Sequence, residues 1–273
     1  MPELPEVETV RRQLARRLEG RRIVRAWFAA VSLREPVPGR RLARALKDAE
    51  VLAVRRRSKY LLWDLSNGHT MLAHLGMSGR FFVHEKGAPR MAHTHGVWEL
   101  PEAEVHYVDP RRFGLLKLYR TGDVAASPEL AGLGPEPFDA AFTPDWLAGA
   151  LAGSAAPIKS WLMDQRRVAG LGNIYVNEAL FQAGIYPERP ARKVRPPQAA
   201  RLHEAIRSIL TAAIGQSGTT FISYTTPDGD NGAFVDSLMV FQREGEACRR
   251  CGRAVARMRQ AGRSTFFCPG CQK

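Results

Sequence analysis

The chain is short of acidic residues, free of cysteine over most of its length, and without an apolar run long enough to span a bilayer. Its 27 Asp and Glu stand against 40 Lys and Arg, giving a net charge of +13 and a pI near 10.2. An excess of this size is the electrostatic footprint of a protein that meets a polyanion. All four cysteines lie at position 248 or later, so no disulfide framework runs through the chain. The first residues carry Glu3, Glu6 and Glu8, where a secretory signal needs positive charge followed by an apolar stretch. Without a membrane-length segment, lipid is the weaker candidate for the polyanion. The expectation is a soluble, cytoplasmic, nucleoid-associated protein acting on nucleic acid. Neither an internal repeat nor an extended low-complexity tract interrupts the sequence.

What is present suits two domains better than one: 273 residues, 45% of them hydrophobic, can bury a substantial core. After an N-terminal helix, residues 21–120 read as short strands, for example at 51–54, 60–65, 80–83 and 115–119. Turn signals such as Ser66-Asn67-Gly68 separate them, which predicts an antiparallel sandwich. A Gly/Pro-rich stretch at 132–137 then reads as a linker, and the pattern beyond it turns helical. Thr143-Pro144-Asp145 is an N-cap followed by proline at the first helical position. Pro197 opens a segment in which Leu202, Ile206, Ile209, Leu210 and Ala213 recur at helical spacing until Gly215. The fold class predicted is α+β. Its parts are a β-sandwich domain over 1–131, a linker over 132–142, a helical domain over 143–239 and a zinc finger over 240–273.

The four cysteines form the strongest spacing signal. Cys248-x-x-Cys251 and Cys268-x-x-Cys271 are separated by sixteen residues, the arrangement of two knuckles that complete a tetrahedral zinc site. Four thiolates leave the metal no open position, so one structural Zn2+ is expected. Between 240 and 273, eight Lys and Arg face only Glu244 and Glu246. A zinc-stapled hairpin of that charge is suited to phosphate.

At the other end stands Met1-Pro2-Glu3-Leu4-Pro5-Glu6. Pro2 is small enough for the initiator Met to be removed, which leaves a secondary amine with Glu3 beside it. Such an amine can attack an aldehyde-like carbon and form an iminium without a lysine. The same residues also read as a helix start: Pro5 suits the first turn, Glu6 and Glu8 favour the positive dipole end, and Val7, Val10, Leu14 and Leu18 make an apolar stripe that Gly20 ends. The helix reading explains Pro5 onward and gives no reason for Pro2-Glu3.

Four further clusters lie between. Gly170-Leu171-Gly172-Asn173 precedes a helix, where backbone N–H groups approached closely make a phosphate site, with Lys159, Arg166 and Arg167 nearby. Arg55-Arg56-Arg57-Ser58-Lys59 leads into a strand, and Lys59 is the member closest to its apolar part. His74-Leu75-Gly76-Met77 sets a flexible apolar side chain between glycines. Asp109-Pro110-Arg111-Arg112-Phe113-Gly114 pairs a cation with an aromatic at a turn. Met77 and Phe113 are side chains of the kind that wedge into a base stack, and each has a core-packing reading beside that one.

In combination, these motifs closely resemble the formamidopyrimidine-DNA glycosylases, and the match extends over the whole chain. The resemblance implies that Pro2 is the nucleophile, Glu3 the acid that protonates the sugar ring oxygen, Glu6 a supporting carboxylate and Lys59 a phosphate contact needed for catalysis. It also implies that His74, Asn173 and Arg263 grip phosphates; Lys159, as a cation flanking the glycine turn, is expected to be a further DNA contact. Met77, Arg111 and Phe113 would fill the gap left by an extruded base. The implied enzyme is a monomer that removes oxidised purines from double-stranded DNA through a proline Schiff base and then cleaves the strand by β,δ-elimination. Extrusion itself costs a few kcal/mol, least at a damaged pair.

One departure concerns the loop that covers the extruded base in the family, matching residues 217–236. Many members carry an arginine shortly after its Gly-Thr-Thr-like start, where this chain has Phe221-Ile222. Three other readings use the same charge. An endonuclease VIII-like enzyme would use the same nucleophile on oxidised pyrimidines, although Leu4-Pro5-Glu6-Val7 resembles the purine branch. A non-catalytic zinc-finger DNA-binding protein would not need Pro2-Glu3. An RNA-modifying enzyme would be expected to carry aromatic stacking motifs that this chain lacks.

Overall fold

The computed structural model describes residues 2–219 and 226–273. They form two compact units, one made of residues 1–131 with 214–235 and the other of 132–213 with 236–273. The units are discontinuous in sequence, whereas the domains expected from the sequence are contiguous: the described residues between 214 and 235 fold with the first unit. Among the described residues, no helix is long and apolar enough to cross a membrane.

The first unit begins with α1 (Leu4–Leu18). Glu3 is its N-cap, and the Glu6 carboxylate accepts the Glu3 N–H at 2.7 Å to close a capping box. The expected stripe of Val7, Val10, Leu14 and Leu18 is buried, and Gly20, at φ +71°, turns the chain away after the helix. Glu3 therefore has a structural duty as well as any chemical one, a duty that its place in the sequence does not announce.

Two four-stranded antiparallel sheets follow. One contains β2 (Val51–Arg57), β3 (Tyr60–Leu65), β4 (His69–His74) and β8 (Leu115–Arg120) in the order β2-β3-β4-β8. The other contains β1 (Arg25–Phe28), β5 (Arg80–Glu85), β6 (Thr94–Glu99) and β7 (Ala103–Val108) in the order β1-β6-β7-β5. A short helix, α2 (Gly39–Leu46), packs Leu42 and Leu46 into the core. Trp63 of β3 meets Phe81 and Trp98 of the facing sheet at centroid distances of 5.6 and 5.2 Å, and Phe81 meets Tyr107 at 5.1 Å. These tilted ring contacts hold the sandwich closed.

The second unit contains α3 (Pro144–Ala152), α4 (Ile158–Met163), α5 (Asn173–Ala183), α6 (Pro196–Gly215, of which the last two residues belong to the first unit) and the hairpin of β9 (Ala256–Gln260) with β10 (Arg263–Phe267). Thr143 caps α3 by accepting the Trp146 N–H at 3.1 Å, as its position before proline predicts. The expected stripe of α6 is buried. Two side chains of α5 tie the finger to the helices. Glu178 accepts the N–H groups of Met239, Val240 and Phe241 at 2.8, 3.0 and 2.8 Å, and Asn177 accepts that of Phe266 at 2.8 Å.

Candidate functional site

Each unit contributes its own set of sequence-predicted residues. In the first, Pro2 is buried directly before α1, with Glu3 and Glu6 at 2% and 1% exposure. One oxygen of Glu6 accepts the Glu3 N–H, and the other accepts the Thr219 N–H at 2.8 Å. A single carboxylate thus joins the chain's first residues to the start of the 217–236 segment. Gly218, at φ +83°, makes the close approach feasible, because a Cβ there would press on the Glu6 carboxylate. The described arms of that segment are closed by Ala233 N–H to Gln216 O and Phe234 N–H to Gly218 O. Phe221-Ile222, where the sequence departs from the family pattern, lies outside the described residues.

Lys59 and His74 are close neighbours, both buried. His74 Nδ1 accepts the Gly76 N–H at 2.9 Å and faces the Arg34 guanidinium at 3.0 Å, which leaves Nε2 to carry the ring proton as a donor. Burial, followed by the charges of Arg34 and Lys59, lowers the His74 pKa to about 3. The imidazole is therefore a neutral N–H donor at working pH. Arg34, which has no motif around it and carries no signal in the sequence, also donates to the Phe113 carbonyl at 2.9 Å. It braces the His74 loop against the Phe113 loop.

Those two loops lock together through glycine and a buried acid. A Cβ on Gly76 would strike the Phe113 backbone, and one on Gly114 would fall on the Tyr107 hydroxyl. Asp109 is wholly buried: one oxygen accepts the Ser78 hydroxyl at 2.5 Å, the other the Gly114 N–H at 2.8 Å. Ser78 in turn accepts the Arg111 N–H at 3.1 Å. This inner scaffold pushes the tip outward. Phe113 is 45% exposed with the exposed Arg111 guanidinium 4.9 Å from its ring centroid, and Met77 is half-buried. Neither Phe113 nor Arg111 packs into the core.

Acid stability follows from two of these pKa values. Burial alone would raise Glu8, but hydrogen bonds from Arg11, Arg12 and Arg56 hold it down at about 2. Both Glu8 and His74 are lower in the folded chain than in the unfolded one, so as pH falls the unfolded state takes up the proton first. The stability they contribute is complete above the unfolded pKa and lost as pH falls, from about 6.5 toward 3 for His74 and from 4.5 toward 2 for Glu8. The limiting slope is about 1.4 kcal/mol per pH unit for each proton. His74→Gln should therefore flatten the stability profile between pH 6.5 and 4.5 in denaturant titrations. Parallel losses in parent and variant would mean that the folded imidazole titrates normally.

In the second unit, Gly170 at φ +96° and Gly172, the N-cap of α5, form the expected turn between α4 and α5. Gln165 staples it by donating to Met163 O and Leu171 O at 3.1 and 2.8 Å and accepting the Gly170 N–H at 2.9 Å. Asn173 is the first residue of α5, and its amide donates to Ser264 O at 3.1 Å. Lys159 donates to the same carbonyl at 3.0 Å and to the Thr265 hydroxyl at 2.6 Å. At 2% exposure, Lys159 is a brace behind the hairpin and not the open phosphate contact that its position in the sequence suggests. Arg263 is exposed and next to this shared carbonyl. Arg166 is paired with Asp164 at 3.0 Å.

The four cysteine sulfurs lie within 4.8 Å of one another, with Cys248–Cys271 at 3.9 Å and Cys251–Cys268 at 3.4 Å. A tetrahedral zinc with bonds of about 2.3 Å sets its sulfurs about 3.8 Å apart, so the donor set fits one ion with no position left for substrate.

Comparison with known proteins agrees with this geometry. Three family models match in order: the formamidopyrimidine-DNA glycosylase N-terminal domain over residues 1–116, its H2TH domain over 133–224, and a model described as "Zinc finger found in FPG and IleRS" over 245–273. Formamidopyrimidine-DNA glycosylases of Gluconobacter oxydans and Desulfitobacterium hafniense are 48% and 42% identical, each over 100% of both chains. Among solved structures, a Lactococcus lactis enzyme variant in complex with Fapy-dG-containing DNA superposes with a TM-score of 0.92 at 35% identity, over 100% of both chains. The wild-type Lactococcus enzyme with DNA containing an oxidised pyrimidine gives 0.91, also at 35% identity and full coverage. The chain belongs to the formamidopyrimidine-DNA glycosylase family.

Proposed function

We propose that the chain excises oxidised purines, 8-oxoguanine and formamidopyrimidines, from double-stranded DNA and then cuts the strand at the resulting site. The observation that carries this reading is the N-terminal constellation, in which Pro2 and Glu3 are held at the start of α1 by the Glu6 carboxylate. With the initiator removed, the Pro2 nitrogen attacks the anomeric carbon of the damaged nucleotide, and the bond to the base breaks. Glu3 delivers a proton to the ring oxygen, the sugar opens, and an iminium joins Pro2 to the DNA. The iminium acidifies the neighbouring sugar protons, so the two flanking phosphates leave in successive β- and δ-eliminations. Lys59 and the neutral His74 N–H serve the phosphates beside the lesion. Arg263 and Asn173, in the second unit, serve DNA phosphates, and the zinc holds the hairpin that carries Arg263.

Met77, Arg111 and Phe113 fill the vacated stack in this reading. A wedge and a core residue respond differently to truncation. A buried Phe→Ala change costs about 3–5 kcal/mol of stability, whereas a change at a side chain as exposed as Phe113 stays within about 0.5 kcal/mol. Phe113→Ala should leave the melting temperature nearly unchanged and slow excision from a duplex, with less effect on cleavage of a preformed abasic site. A large fall in melting temperature with normal excision by the folded remainder would return Phe113 to the core.

Duplexes carrying single defined lesions test the substrate assignment. Release of 8-oxoguanine and formamidopyrimidine, with phosphate at both ends of the gap, is expected. Activity on oxidised pyrimidines alone would place the chain in the other branch. Oxidised pyrimidines are worth including because the Lactococcus relative was solved with DNA containing one. The enzyme acts in the cytoplasm at the nucleoid, a location that a fluorescent fusion would check.

A further inference from the structure

A second cationic feature lies in the second unit and takes no part in the reaction above. A concavity of about 640 Å³ is lined by Arg189, Arg192, Lys193, Arg195 and Lys273 with Glu188 as the one acidic side chain, and Tyr186 and Pro190 complete the wall. Its volume is within the range of small-molecule sites. Its rim is built, not loose. Residues Ala191–Lys193 form a 3-10 turn, and Ala191 and Val194, spaced by three, are buried at 0% and 6% exposure. Pinning those two turns Arg192, Lys193 and Arg195 out to solvent. The turn is also fixed from behind, by Ala191 N–H to Ala156 O and Arg192 N–H to Ser154 O, both 2.8 Å. Opposite it, Tyr186 N–H donates to Lys273 O at 3.0 Å, and the Tyr186 ring packs edge-on against Phe267 of β10 at 5.2 Å. Arg189 is held by Gln198 at 3.2 Å. Among the described residues, Arg192, Lys193 and Arg195 have no side-chain hydrogen bond or ion pair. Several unneutralised cations around one preformed hollow repel one another, and a multiply charged anion removes that repulsion.

We infer that this hollow is a second anion site, built for a run of linked phosphates and separate from the catalytic residues. A single phosphate brings less negative charge to the five cations than a chain of linked phosphates does. Such a chain has two sources, the backbone of nucleic acid or a free polyphosphate. The inference does not rest on the catalytic reading, since none of the residues named for catalysis lines the hollow.

Calorimetric titration of the zinc-loaded full chain with tripolyphosphate tests it, comparing the parent with the triple variant Arg192→Ala/Lys193→Ala/Arg195→Ala. The variant is expected to bind tripolyphosphate at least about tenfold more weakly, with a shallower salt dependence because fewer counterions are exchanged. Its melting temperature and its excision from a duplex no longer than the lesion footprint should match the parent. Two arms separate the sources. A loss of affinity for a long duplex but not for the short one assigns the site to the nucleic-acid backbone. Equal affinity for both duplexes, with tripolyphosphate binding abolished, assigns it to a free polyphosphate. Equal tripolyphosphate binding by parent and variant overturns the proposal, and so does binding of monophosphate as tight as that of tripolyphosphate in the parent. A variant that loses stability is replaced by Lys193→Glu, a single reversal on an exposed side chain, with the same expected direction.

Discussion

Borohydride added during turnover on a lesion duplex is expected to trap the protein on DNA through Pro2. Leu4–Leu18 is a helix whose N-cap is Glu3, so Pro2 is the last residue before the ladder of helical hydrogen bonds begins. Proline has no N–H to lose there in the intact chain, and once Met1 is removed its nitrogen becomes a secondary amine that can form an iminium. The amine is not free to wander. Glu3 is fixed through its own N–H to Glu6, and Glu6 is fixed in turn by the Thr219 N–H. Pro2→Gly should lower base excision by at least about 10²-fold, while its primary amine still opens some abasic sites. Glu3→Gln separates chemistry from capping. Weakening the cap costs about 0.5–2 kcal/mol of stability, whereas losing the acid costs about 10²–10⁴ in rate. An adduct mapped to Lys59, or an active preparation in which mass spectrometry finds Met1 retained, would overturn the assignment of Pro2.

The parts of this architecture that are legible in the sequence are those written in local spacing. Two Cys-x-x-Cys pairs, the proline start and stripe of α1, Thr143-Pro144 and the stripe of α6 each need only a few neighbouring residues to be read. The strands at 51–57, 60–65, 80–85 and 115–120 are marked by apolar content and turn residues. What is not legible depends on contacts across long sequence separations. Arg34 sits in an irregular stretch with no pattern, and its meaning comes from His74 and Phe113, 40 and 79 residues away. Lys159 sits near a glycine-rich turn, which suggests phosphate, but the direction of its side chain is set by Ser264 and Thr265, more than a hundred residues later. The burial of Asp109 is likewise hidden, because a turn motif with one acid and two arginines reads as a surface. Its role as the hub of the Met77 and Phe113 loops appears only when β4 and β8 have paired.

Removing the metal should abolish tight DNA binding while leaving the β-sandwich folded. The finger has little apolar material of its own. Val255 and Phe266 are buried, with Phe241 packed edge-on against Phe266 at 5.2 Å. So small a core cannot offset the conformational entropy of ordering some thirty residues, and a structural zinc in such modules supplies about 10–16 kcal/mol of binding free energy that acts as folding free energy. Cys248→Ser or Cys268→Ser should therefore melt the β9–β10 hairpin. The damage continues outward from there. Ser264 O loses its fixed place against Asn173 and Lys159, and the amine of Lys159, buried and paired with that hairpin, is left without two acceptors. Arg263 then has no fixed direction toward a phosphate. Lesion-duplex affinity should fall by about 10²-fold or more, and the slope of log affinity against log salt should become shallower by about one for each phosphate the protein no longer neutralises. Limited proteolysis should cut within 240–273 first. Arg263→Ala, which frees one phosphate and leaves the finger intact, should reproduce the change in slope by about one without the new cleavage. A zinc-free variant that still binds lesion DNA as tightly as the parent would show that the finger does not clamp the duplex, and the phosphate-binding roles assigned to Arg263 and Asn173 would have to be sought elsewhere on the chain.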